Sequence, residues 1–281
     1  MKTILLPYYG HEGTAAAFGT AVQLAKRYSG YVEGLFVRQL PPIIAGEGIT
    51  LPGDYVTQLT EESQKLSERA QQEFRDQVDK QALTFVETPC VDVNATAGWH
   101  EAEGLESQVV GEYGRLFDLI VVGRNVDQTQ TDWKFTCESA LIDSGRPVII
   151  ASDVVPEHIG RKVLIIWNGS TETARTIALG MEFLKDAELV EVVTIEGATV
   201  AGPTGDQVVD YLARQGIPAS ARIVRAEGRS DGECALEEVT ASGADLVLKG
   251  AFTHSRLRAL IFGSVTSHIL NHAKVPILMA H

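Results

Sequence analysis

The chain alternates short, uninterrupted apolar runs with stretches whose apolar residues recur every three to four positions. In the second half the runs predict strands near 162–168, 188–195, 219–226, 244–250 and 275–280. The amphipathic stretches between them predict helices near 170–185, 204–215, 230–242 and 264–273. In the first half, strands are predicted near 2–8, 31–37, 83–89, 118–123 and 147–151, with a helix over Gly13–Arg27. Continuous Val/Ile/Leu runs are what a parallel sheet requires when helices cover both its faces. Alternation with helices implies βαβ crossovers. The predicted fold is α/β: two tandem open doubly wound domains, each with a mostly parallel five-stranded sheet.

The pattern also repeats. Lys2-Thr-Ile-Leu-Leu-Pro-Tyr and the helix after it are echoed by Lys162-Val-Leu-Ile-Ile-Trp-Asn and Thr171–Asp186. Phe117-Asp-Leu-Ile-Val-Val-Gly is echoed by Ala244-Asp-Leu-Val-Leu-Lys-Gly. The offset between copies shrinks from 160 to 127 residues, so the first copy carries about 33 extra residues. The expected domains are 1–152, with an insert near 39–82, and 160–281, joined through the Pro- and Gly-broken segment SDVVPEHIG. Within the insert, Gln39–Val56 is rich in Pro and Gly and carries Ile43, Ile44, Ile49 and Leu51. Leu59, Leu66, Ala70, Phe74 and Val78 then predict a helix of some six turns. The insert reads first as a loop packed over its own sheet, and second as a lid or partner-binding surface.

Composition narrows the function. Of 281 residues 44% are hydrophobic and 22% charged, which excludes a disordered chain. The net charge of −13 disfavours nucleic-acid polymers and anionic membranes as partners. Cys90, Cys137 and Cys234 are scattered, without metal-binding spacing, and fit a reducing compartment. The start of the chain does not read as a signal peptide, and no apolar run is long enough to span a bilayer. A cytoplasmic location is expected.

Open α/β sheets bind ligands beyond the carboxyl ends of their strands, where the strand order reverses. After the fourth strand of the second half the chain reads Gly250-Ala-Phe-Thr253-His254-Ser-Arg256-Leu-Arg258, then on to Gly263-Ser264-Val265-Thr266. Glycine lets a ligand approach the backbone, and a helix beginning at Ser264 offers free N–H groups to a phosphate. From Leu246 to His281 there is no Asp or Glu, while Lys249, Arg256, Arg258, Lys274 and four histidines are present. The first-half counterpart contains Asp127, Asp132 and Glu138 and no second glycine, so it should repel a phosphate. His268 and His272, four apart on a predicted helix, read as a solvated or interface face rather than a metal pair. Neither His254–Ser255 nor His11 completes a catalytic pattern.

At these residues the chain resembles the universal stress protein family. Nucleotide-binding members carry Gly, two residues, Gly, nine residues and Gly-Ser/Thr after the fourth strand. Here the series is Gly250, Thr253, Gly263 and Ser264, followed by the family-like Val265-Thr266. Trp167-Asn168-Gly169-Ser170 follows the first strand, where the family has Asp-Gly-Ser. The resemblance covers the second half throughout and the first half as a diverged copy. It implies ATP or a related adenine nucleotide, with magnesium, as ligand of the second half. Gly250, Gly263 and Ser264 would line the phosphates, Val265 and Thr266 would start the helix, and Asn168 would face the adenine or ribose. Arg256 is the chosen phosphate side chain of the loop.

The implied role is a stress-response sensor or regulator. No general base is assignable, so enzymatic activity is expected to be absent or at most a slow ATPase. Thr253 in place of glycine and Asn168 in place of aspartate support the alternative: an interaction module that has lost nucleotide and binds a protein partner or a hydrophobic small ligand. In the family the last strands of two domains pair. Here that implies Pro147–Ala151 beside Val275–Ala280, an internal pseudo-dimer with further homodimerisation open.

Overall fold

A computed structural model describes residues 1–9, 12–38, 53–88, 94–124, 133–251 and 264–281. The chain begins with β1 (Thr3–Pro7), α1 (Glu12–Tyr28), β2 (Tyr31–Arg38) and the long α2 (Gly53–Lys80). Then come β3 (Thr84–Phe85), β4 (Thr96–Glu103), α3 (Glu106–Tyr113), β5 (Leu119–Val122), α4 (Trp133–Asp143) and β6 (Val148–Ile150). The second half opens with β7 (Lys162–Trp167), α5 (Thr171–Leu179), α6 (Met181–Asp186), β8 (Leu189–Ile195) and α7 (Gly205–Arg214). It closes with β9 (Ser220–Val224), α8 (Asp231–Ser242), β10 (Leu246–Gly250), α9 (Ser264–His272) and β11 (Ile277–Ala280).

The fold is α/β, and the two expected sheets are one. Among the described residues, eleven strands lie in the order β3-β4-β2-β1-β5-β6-β11-β10-β7-β8-β9. Pairing of these strands is parallel within each half and antiparallel at the junction, where Ile277 faces Ile150, Leu278 faces Ile149 and Met279 faces Val148. Joining the two inner edges removes two unpaired strand borders from water. Alternate residues of the central strands supply the two faces. Ile4, Val121, Ile149, Leu278, Leu248 and Ile165 point into one apolar cluster. Leu5, Ile120, Ile150, Ile277, Val247 and Leu164 point into the other. Each cluster runs across both halves, so the junction is part of the core.

Leaving out β3, both halves place their strands as third, second, first, fourth, fifth. The order therefore reverses between β1 and β5 and again between β7 and β10, the positions where ligand crevices form.

The structure revises the predicted first half. The strand expected near 83–89 is only the two-residue β3, and the third strand of the series is β4, which pairs with β2 along all eight of its residues. The helix expected over 170–185 is two helices meeting at Gly180, where a Cβ would lie 2.7 Å from Leu278 Cδ2 and 3.0 Å from the Thr176 carbonyl. α2 is longer than six turns at 28 residues, and it buries Ser67, Ala70, Phe74 and Val78 while leaving Leu66 exposed. The apolar positions Ile43, Ile44, Ile49 and Leu51 lie outside the described residues.

Candidate functional site

The crevice between β7 and β10 is built from the turn after β7. Asn168 Oδ1 accepts from the Ser170 backbone N–H at 3.2 Å and from the Thr173 hydroxyl at 2.8 Å. Ser170 caps α5, its hydroxyl accepting from the Thr173 N–H at 3.2 Å. Gly169 sits at φ +84°, and a Cβ there would meet the Val200 carbonyl at 2.7 Å. The Val200 N–H in turn donates to the Asn168 carbonyl at 2.9 Å, and Trp167 Nε1 donates to the Pro203 carbonyl at 2.8 Å. The chain after β8 is thereby tied to the chain after β7.

β10 is fastened to the same turn. The Gly250 N–H donates to the Thr173 hydroxyl at 3.2 Å, and a Cβ on Gly250 would lie 2.5 Å from the Thr173 nitrogen. The missing side chain of Gly250 is therefore required first by the approach of α5. Thr176, fully buried one turn on, donates to the carbonyls of Glu172 at 2.8 Å and Lys249 at 3.4 Å, and accepts from the Ala280 N–H at 3.0 Å. The first two turns of α5 thus hold the ends of β10 and β11 in place.

On the opposite face, Lys249 reaches beneath α9. Its ammonium donates to the Thr266 hydroxyl at 2.9 Å and to the Gly250 carbonyl at 3.3 Å. The residue is 7% exposed, and burial pushes its pKa down to about 8. The end of β10 thus carries two arrangements, Gly250 with Thr173 and Asn168 on the α5 side and Lys249 with Thr266 on the α9 side. Thr253, Arg256 and Gly263 lie outside the described residues, as do His254 and Arg258. Ser264 and Val265 open α9.

Residues 161–281 match the model of the universal stress protein family. The second half of the chain is thus similar to the universal stress protein family. Across its whole length it is 25% identical to universal stress protein Slr1230 of Synechocystis, over 99% of both chains. A universal stress protein from Archaeoglobus fulgidus shares the fold at TM-score 0.65, with 16% identity over 99% of this chain and 97% of that one. A functionally unknown protein from Pseudomonas aeruginosa, PA1789, superimposes at TM-score 0.52, with 13% identity over 99% and 92%.

The counterpart turn after β1 carries an aromatic residue in place of Asn168. Where Asn168 follows β7, Tyr8 follows β1, and its ring is buried edge-on against Phe18, Phe74 and Trp99 at 5.2–6.4 Å between centroids. Phe74 comes from α2, so part of the insert serves as packing. Tyr9 is also enclosed; burial and then the neighbouring Glu106 hold its phenol well above the usual range. Glu106, 2% exposed at the start of α3, accepts from the Thr136 hydroxyl of α4. A buried carboxylate beside the first turn of α4 opposes a phosphate there. The acids expected to do this were Asp127, Asp132 and Glu138; the first two lie outside the described residues.

Three residues not singled out from the sequence shape these sites: Lys249, Glu106 and Arg124. Lys249 stood out only as part of a cationic stretch, because nothing local tells an inward lysine from an outward one. His268, His272 and Cys137 are engaged in packing. His268 packs over Gly232 of α8, with its ring 4.4 Å from that of His272. Cys137 is fully buried, and burial followed by the charge of Glu138 pushes its thiol far up, so it is held as the unreactive thiol. Among the described residues no helix is long and apolar enough to cross a membrane.

Proposed function

We propose that the second half of the chain binds ATP or a related adenine nucleotide, and that the protein acts as a cytoplasmic stress-response sensor or regulator. The observation that carries this reading is the strand-order reversal between β7 and β10, which falls where the sequence carries a series resembling the family's phosphate loop, after β10 and up to α9. Helix N-termini favour anions. The stretch after Asp245 contains no carboxylate, so magnesium would arrive with the nucleotide rather than on a protein acid. The buried Tyr8 after β1 and the buried Glu106 beside α4 favour a single site per chain. In this reading Gly263 and Ser264 hold the phosphates, Arg256 adds charge from the loop, and Val265 and Thr266 present the first turn of α9.

A second reading, an interaction module without nucleotide, is favoured by one observation. The oxygen of Asn168 is already engaged by Ser170 and Thr173, and so is committed to the start of α5. Calorimetry with ATP and magnesium on the native protein and on T253G separates the two. The nucleotide reading predicts saturable binding by the native protein, with T253G improving it by no more than about tenfold, or ~1.4 kcal/mol. No heat from the native protein and strong binding by T253G would establish the second reading instead.

A further inference from the structure

Lys249 is a cation in a position that packing alone would give to an apolar residue. Its partners across the sheet are Ile166 on β7 and Met279 on β11. Both belong to the same apolar cluster as Val247, Ala251 and Cys234. Its two hydrogen-bond acceptors, Thr266 and Gly250, are neutral. An ammonium has three donors, so one remains unengaged and the charge has no counter-ion among the described residues. A buried, unpaired charge costs several kcal/mol and is normally paired.

The charged groups of the helices packed on this face do not supply the missing partner. On α8, Glu233 accepts from Ser230, Glu237 pairs with Arg229 and Glu238 with Arg222. Asp231 stands at the start of α8, and Cys234 is buried within the cluster. α9 contributes His268 and His272, which stack on one another. None of these groups perturbs Lys249, whose depression comes from burial alone. What the lysine does face is the first turn of α9, through Thr266.

We propose that Lys249 is the built-in counter-charge for the ligand, its free N–H pairing with an anionic phosphate oxygen held at the first turn of α9. This rests on the nucleotide reading above and adds to it a specificity determinant for the charged part of the ligand. Without ligand the ammonium has no counter-ion among the described residues, and binding supplies one. Removing the charge should therefore weaken binding and stabilise the empty protein at once.

K249M keeps similar volume and removes only the ammonium. ATP and adenosine are titrated calorimetrically into the native protein and K249M, and thermal unfolding without ligand is followed from about pH 7.5 to 9.5. K249M is expected to bind ATP at least about tenfold more weakly than the native protein, with adenosine affinity changed less than about twofold. At about pH 8 the native protein takes up roughly half a proton with ATP, measured in buffers of different ionisation enthalpy, and K249M takes up none.

In the unfolded chain this lysine titrates near ~10.4, so above about pH 8 the unfolded state binds more protons and native stability rises with pH. K249M lacks that rise and melts roughly 2–4 °C higher than the native protein at the acid end of the series. ATP binding by K249M within twofold of native overturns the proposal while leaving nucleotide binding standing. Equal losses for ATP and adenosine overturn it too, by assigning Lys249 to packing. No ATP binding by the native protein overturns both.

Discussion

Replacing Arg124 with methionine is expected to lower the stability of the protein by about 3–5 kcal/mol, because three buried carbonyls lose their hydrogen-bond donors. Arg124 follows β5 of the first half, is 8% exposed, and donates to three backbone carbonyls. Nε reaches Ala151 at 3.0 Å, Nη1 reaches Leu270 at 3.0 Å and Nη2 reaches Ala273 at 2.7 Å. Leu270 and Ala273 lie at the end of α9, where carbonyls lack helical partners and the helix dipole is negative. One planar side chain thus satisfies the last turn of a second-half helix from the first half of the sheet. Asp153 stands 3.6 Å from Nε but is largely exposed, so the carbonyls contribute more than the ion pair. Methionine fills the volume and leaves the three acceptors buried, at about 1–3 kcal/mol each before relaxation. Lysine should recover only part of the loss, since a single ammonium cannot span three acceptors placed for a guanidinium fork. Urea unfolding of R124M and R124K checks this. A loss below about 1 kcal/mol for R124M would remove the clamp from the account.

The second large effect is expected at Gly250. G250A adds one methyl group, yet that carbon would lie 2.5 Å from the Thr173 nitrogen, 2.7 Å from its hydroxyl and 2.9 Å from the Glu172 carbonyl carbon. Two of these are backbone atoms, which cannot swing aside as a side chain does. α5 must move off β10, breaking the Gly250–Thr173 bond and the link from Thr173 to Asn168. A cost of about 3 kcal/mol is expected, at the upper end of ordinary overpacking. Because the clash is internal, the loss should appear in the ligand-free protein. A G250A protein as stable as the native one, with nucleotide binding alone impaired, would return this glycine to the role first expected of it, that of admitting a ligand.

The second half was more legible in the sequence than the first for a physical reason. β7, β8 and β10 are covered on both faces and paired on both sides, so their residues are near-continuously apolar and announce themselves. β4 reads Thr-Ala-Gly-Trp-His-Glu-Ala-Glu, and only its first three residues are buried, because β3 covers just the start of its outer side. A strand one place from the sheet edge tolerates His100, Glu101 and Glu103 and loses the apolar signature. The repeat itself was legible because β1/β7 and β5/β10 are the buried central strands of their halves. Asn168, Gly250 and Thr266 were singled out from the sequence through a resemblance in motif and spacing. Glu106, Lys249 and Arg124 were not, since each draws its role from what surrounds it in space: α4 for Glu106, the underside of α9 for Lys249, and the far half of the sheet for Arg124.

The central claim is a single nucleotide site in the second half of the chain. Native mass spectrometry of the freshly purified protein, before and after incubation with ATP and magnesium, tests it most directly. The account predicts one bound nucleotide per chain, retained or taken up, and no second one at high ligand concentration. A chain that holds none under both conditions would contradict the claim, and a chain that holds two would contradict its restriction to the second half.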